Sequence, residues 1–151
     1  MPNRNEALFG PAGNCEAFYA AGHKSTVQVF GWLRAQGLTA YEYQCGRGVR
    51  VSADAAAAIR RAAGENGIAV SVHAPYFISL ASAEEEKRDN SIRYILDSAR
   101  AADAMGGDRI VVHPGGLGGR SRAEATAIAC DTLMRAQAAL DENGLGGVHI
   151  C

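Results

Sequence analysis

No run of eighteen apolar residues occurs in this chain, which excludes an ordinary membrane-spanning helix and any membrane partnership built on one. The opening residues, MPNRNEALFG, lack the charged-then-apolar layout of a signal peptide. Cysteine is sparse. Cys15, Cys45, Cys130 and Cys151 form no CxxC pair and read as the unpaired thiols of a reducing compartment, so a cytoplasmic protein is expected. Charge of one sign is also missing: the net charge of −1 gives the chain as a whole no general attraction for nucleic acid or membrane. No Gly-x-Gly-x-x-Gly follows the first apolar segment, and Gly115–Gly119 lacks the Lys-Ser/Thr of a phosphate loop. What the chain does have is apolar content of 48%, ample for the core of one domain over residues 1–151.

Two short β-branched runs organise the rest. Val70–Phe77 reads VSVHAPYF and Ile110–Gly116 reads IVVHPGG, each ending in a histidine close to a proline. Such near-continuous apolar runs suit strands buried on both faces of a parallel sheet. Pro75 and Pro114 stop the strands, so His73 and His113 fall at their C-terminal ends. One long helical pattern separates them, which makes the strands parallel neighbours about 4.8 Å apart. Two imidazoles at matching heights could then share one metal ion, although a zinc site needs at least three protein ligands.

The chain alternates throughout. Strands are expected at Glu6–Gly10, Thr39–Cys45, Ile68–His73, Arg109–His113 and Gly147–Cys151. Helices are expected at Ser25–Gln36, Asp54–Asn66, Ser82–Met105 and from Ser121 to about Glu142. Ser25 with Gln28, Ser82 with Glu85 and Ser121 with Glu124 fit capping boxes. This order makes a parallel sheet with helices outside it. Two architectures compete: a complete doubly wound open sheet, and a (β/α)8 TIM barrel truncated after about five strands and four helices, since a whole barrel needs about 250 residues. Ending on an apolar strand favours the barrel.

From Leu8 to Cys151 these segments resemble the endonuclease IV family, zinc-dependent apurinic/apyrimidinic endonucleases of the xylose isomerase-like TIM barrel group. VSVHAPYFISLAS at 70–82 is similar to the family's His-x-x-Tyr segment, IVVHPGG to its His-Pro-Gly, and EYQCGRGV at 42–49 to its strand-two loop. The resemblance implies that His73 and His113 are zinc ligands. It implies that Arg47 and Tyr76 contact DNA, and it makes Asn14, in the GPAGN loop, a further candidate contact. Gly10–Asn14, Cys45–Gly48, Ala74–Leu80 and Pro114–Arg120 all follow strands and should gather on one rim, with Asn14, Arg47 and Tyr76 exposed there, and Gly115–Gly119 reads as a flexible loop. It implies Zn2+ as cofactor, up to three ions in full-length members, and abasic double-stranded DNA as partner. The third ligand of the first zinc, a Glu, would lie beyond Cys151 with the missing C-terminal half of the barrel.

The expectation is therefore the N-terminal part of a DNA-repair phosphodiesterase. The 151-residue polypeptide alone should be inactive, bind zinc weakly and self-associate through its bare edges. No catalytic base is assignable. Glu42 is a polar pocket wall if it points into the barrel, and Tyr41 and Tyr43 read as packing. A metal-dependent sugar isomerase or epimerase of the same superfamily, and a non-catalytic DNA-binding remnant, are the alternatives.

Overall fold

The structure, a computed structural model, describes residues 7–151. Four parallel strands form one sheet in chain order: β1 (Ala40–Gln44), β2 (Ala69–His73), β3 (Arg109–Val111) and β4 (His149–Ile150). A doubly wound sheet must reverse its order at a switch point; this one never reverses. Winding in a single direction is the barrel pattern, and it decides against the open sheet.

The helices are α1 (Glu16–Ala20), a 3-10 turn at Thr26–Gln28 running into α2 (Val29–Ala35), α3 (Ala53–Asn66), α4 (Glu85–Ala104) and α5 (Arg122–Glu142). The Ser25–Gln28 and Ser121–Glu124 capping boxes form as expected, and the Ser52 hydroxyl accepts from the Ala55 N–H at the start of α3. The Ser82–Glu85 box does not form. Ile78, Leu80 and Ala81 are drawn into the core, so α4 begins three residues later than expected and Ser82 accepts from Glu84 instead. The short α1 has no apolar periodicity long enough to announce it.

The first expected strand lies elsewhere. Glu6 is outside the described residues, and pairing with β1 runs along 9–13, as a single parallel bridge at Ala12–Glu42. The carbonyls of Phe9 and Pro11 accept from Ala40 and Glu42, and the Gly13 N–H donates to the Glu42 carbonyl. Proline has no N–H to give, so at Pro11 the ladder runs through the carbonyl alone. Gly10 explains the close approach: a Cβ there would stand 1.6 Å from the Ala40 carbonyl oxygen.

Burial along β2 alternates rather than continuing. Val70 and Val72 are buried under the helices with Ile110 of β3, whereas Ser71 and His73 are only half-buried. The expected burial on both faces is therefore replaced by one packed face and one polar face. Against the packed face lie Phe30 and Leu33 from α2, Ile59 from α3 and Ile95, Ala99 and Ala102 from α4. Each buried Ile or Leu contributes about 1.5–3 kcal/mol. The alanine stripe of α3 and α4 lets the helix backbones come close to the strands. Ser91 and Ser98, also buried in α4, donate back to the Lys87 and Tyr94 carbonyls, which removes the cost of burying a hydroxyl. No helix among the described residues is long and apolar enough to cross a membrane.

Candidate metal centre on the polar face of the sheet

Strand periodicity of two places Glu42 and Gln44 of β1 on the same face as Ser71 and His73 of β2. The register sets Gln44 beside His73 and His73 beside Val111, and His113 follows two residues beyond Val111. The rings of His73 and His113 meet with centroids 4.8 Å apart, tilted by 47°. The two histidines thus converge at the C-terminal ends of neighbouring strands.

Glu42 completes the group. His73 Nδ1 donates to Glu42 Oε1 at 2.8 Å, since an ionised carboxylate only accepts. The Gln44 amide donates to the same oxygen at 2.9 Å. Both partners of the pair are about four-fifths shielded. His113, by contrast, is exposed. Imidazole nitrogens suit zinc, so the donor set fits a metal in part. Among the described residues no group of three or more His, Cys, Asp or Glu side chains is arranged to hold an ion.

Cys45, at the end of β1, contributes nothing to such a site. It is buried, and burial pushes its thiol up to about 11, away from the thiolate a metal requires. Burial likewise raises the Tyr41 hydroxyl, helped by neighbouring Tyr43.

Tyr76 is 69% exposed and Phe77 42%, on the segment that follows His73. The segment is nonetheless fixed. Ile78 and Leu80 are buried, the Leu80 N–H donates to the Pro114 carbonyl, and the Leu80 carbonyl accepts from Thr132. The Tyr76 N–H donates to the Gly46 carbonyl at 3.3 Å, tying this turn to the one carrying Arg47. Arg47 is exposed and lines a cavity of about 580 Å3 with Arg50, Ser52, Phe77, Tyr94 and Arg100. Neither His73 nor His113 lines that cavity. Asn14, expected at an exposed rim, is half-buried. It accepts from the Tyr41 hydroxyl at 2.9 Å and donates to Thr26 and Tyr19. Its amide is committed to fastening the segment after the Ala12 bridge to β1. Residues 10–14, expected as a loop on the same rim, instead pair with β1 at Pro11, Ala12 and Gly13.

The residue that sequence reasoning undervalued is Glu42. The Glu-x-Gln alternation of β1 carried the signal, because it forces both polar groups onto the face that His73 shares.

A singly wound parallel sheet, helices on its packed face, and two histidines meeting at neighbouring strand ends define a β/α-barrel type of protein. The chain belongs to the xylose isomerase-like TIM barrel family, whose sequence pattern matches residues 30–151. It is 41% identical over 44 residues, 29% of its length, to a probable endonuclease 4 of Mycoplasmoides gallisepticum, of which this covers 14%. Among solved structures, endonuclease IV from Thermus thermophilus aligns over 82% of this chain and 43% of its own with a TM-score of 0.60 and 25% identity. D-psicose 3-epimerase from Clostridium cellulolyticum aligns over 85% and 46% with a TM-score of 0.68 but 12% identity, a likeness of fold alone. The matches span 14% of that endonuclease 4, 29% of an uncharacterized Methanocaldococcus jannaschii protein that is 40% identical over 83 residues, and less than half of these two structures.

Proposed function

We propose that this chain forms the N-terminal part of a single barrel domain that acts as a zinc-dependent, endonuclease IV-like phosphodiesterase, cleaving double-stranded DNA at abasic sites. The observation that carries the reading is the convergence of His73 and His113 on successive strand ends. Arg47 and Tyr76 stand exposed on the adjoining turns. His73 and His113 would hold zinc in part, and a zinc ion there would supply charge neutralisation at a scissile phosphate and lower the pKa of water toward neutrality. The chain's own side chains do the rest. Tyr76 offers an aromatic face of the kind that stacks on a base or fills the gap a flipped nucleotide leaves. Arg47 offers a cation to the backbone or minor groove. Asn14 acts at one remove, by holding β1. The four free cysteines support a cytoplasmic setting.

The epimerase likeness supports a second reading, metal-dependent isomerisation or epimerisation of a sugar, and one experiment separates the two. The protein expressed from its whole reading frame is given zinc and either a labelled duplex with one abasic site or a ketohexose. Incision at the abasic site, lost with a chelator, is the expected result. Arg47→Ala should weaken duplex binding several-fold and leave zinc content unchanged. Sugar epimerisation with an intact duplex would overturn the nuclease reading.

A further inference from the structure

We propose that Glu42 is a positioning residue, which holds His73 in the Nδ1–H tautomer and so keeps Nε2 as the lone-pair nitrogen beside His113. The inference rests on the metal-centre reading but makes a separate claim about this chain. Imidazole has two nitrogens, and which one carries the proton is set by what the other atom meets. Here the Nδ1 of His73 lies 2.8 Å from Glu42 Oε1, and a carboxylate oxygen cannot donate, so the proton sits on Nδ1. The same oxygen receives the Gln44 amide at 2.9 Å, an arrangement possible only for an acceptor. Gln44 thereby limits the rotamers open to Glu42, and the register of β1 on β2 fixes the distance between them. Nε2 takes no hydrogen bond from the described residues, and the ring's nearest aromatic neighbour is His113 at 4.8 Å between centroids.

The pair has a chemical direction. A metal-ligating imidazole commonly gives its second N–H to a carboxylate, which fixes ring orientation and raises ligand basicity. His113 has no such partner among the described residues, so the two rings are not equivalent: His73 is presented ready-made, and His113 has to be ordered.

The test begins without metal. The chain labelled with 15N-histidine is studied by long-range 1H–15N correlation at roughly pH 8.5, about two units above the ordinary imidazole pKa. His73 should show a protonated Nδ1 and an unprotonated Nε2. The opposite tautomer in the wild-type chain overturns the proposal, whatever any variant does. In Glu42→Ala the tautomer preference should be lost and zinc affinity should fall about 10–100-fold. Glu42→Gln, which keeps an acceptor oxygen without its charge, should retain the Nδ1–H tautomer and recover part of that loss. Equal zinc affinity in wild type and Glu42→Ala would also overturn it. If wild type binds no zinc at all, the metal-centre reading falls, while the tautomer still judges Glu42.

Discussion

The turns after β2 and β3 start alike and end differently. Each begins as a β-branched strand, a histidine and a proline. After His73 the chain buries Ile78, Leu80 and Ala81 and spends its backbone groups on Pro114, Ser91, Thr132 and Arg120. After His113 it runs through five residues of the type Gly-Gly-Leu-Gly-Gly, and residues 113–119 are all exposed. One turn is part of the core; the other rests on it. Gly115 is the point of contact: its φ of +84 and the Ile78 carbonyl, 3.1 Å from where a Cβ would sit, leave room for glycine there. The difference teaches that like strand-end motifs acquire unlike rigidity from the residues on their C-terminal side. A site built on both has one fixed half and one adjustable half.

The largest expected effect tests whether the first turn is truly core. Ile78 is 1% exposed, and Ile78→Ala removes buried methylenes and leaves a cavity, so stability should fall by about 2–5 kcal/mol. Leu117, at 44% exposure in the second turn, should tolerate alanine within about 0.5 kcal/mol. Urea denaturation of both variants measures the contrast. Similar losses at the two positions would break it.

A smaller effect sharpens the comparison by removing one hydroxyl. The Thr132 hydroxyl, fully buried in α5, donates to the Leu80 carbonyl at 2.8 Å and shares its proton with the Ile128 carbonyl of its own helix at 3.0 Å. Thr132→Val keeps the shape and removes the donor, and the buried carbonyl is left unsatisfied at a cost of about 1–3 kcal/mol. In the same variant, amide exchange should quicken across 76–82 while that of β3 is unchanged. Uniform quickening over both would show that Thr132 supports the whole domain rather than this turn.

Much of this contrast was legible from residues. Pro75 and Pro114 placed both histidines at strand ends, and the alternation of β/α segments indicated a parallel sheet. The glycine run marked the second turn as the loose one. What could not be read was long-range. Thr132 lies fifty-two positions from Leu80, and no local pattern pairs them. The pull of Ile78 and Leu80 into the core displaced the expected Ser82 cap, because tertiary burial outweighs a cap contributing about 1 kcal/mol. Asn14 was misplaced for the same reason: its exposure depended on Tyr41 and Thr26, which come near it only once the bridge at Ala12 forms. At the site, the histidines were legible by type and position. Glu42 needed the sheet register, since only there does a carboxylate thirty-one residues away become the partner of His73.

The smallest expected effect separates the two histidines themselves, with no metal present. His73 is bonded to Glu42, and hydrogen bonds to charged groups contribute about 1.5–3 kcal/mol when shielded. Because both partners keep about a fifth of their surface in water, that contribution is reduced by solvent. His73→Ala should therefore destabilise the metal-free chain by about 1 kcal/mol, leaving Glu42 with Gln44 alone. His113 is exposed, and its replacement by alanine should change stability by less than about 0.5 kcal/mol. Both variants should lose zinc affinity, since each removes a ligand the proposed centre needs. Chelator-treated protein in urea, followed by zinc titration of the same samples, gives both numbers. The fixed-and-adjustable picture requires the stability losses to be unequal while both zinc affinities fall. If removing either ring destabilises the metal-free chain equally, the second turn is as well anchored as the first, and the asymmetry is an accident of exposure rather than a property of the site.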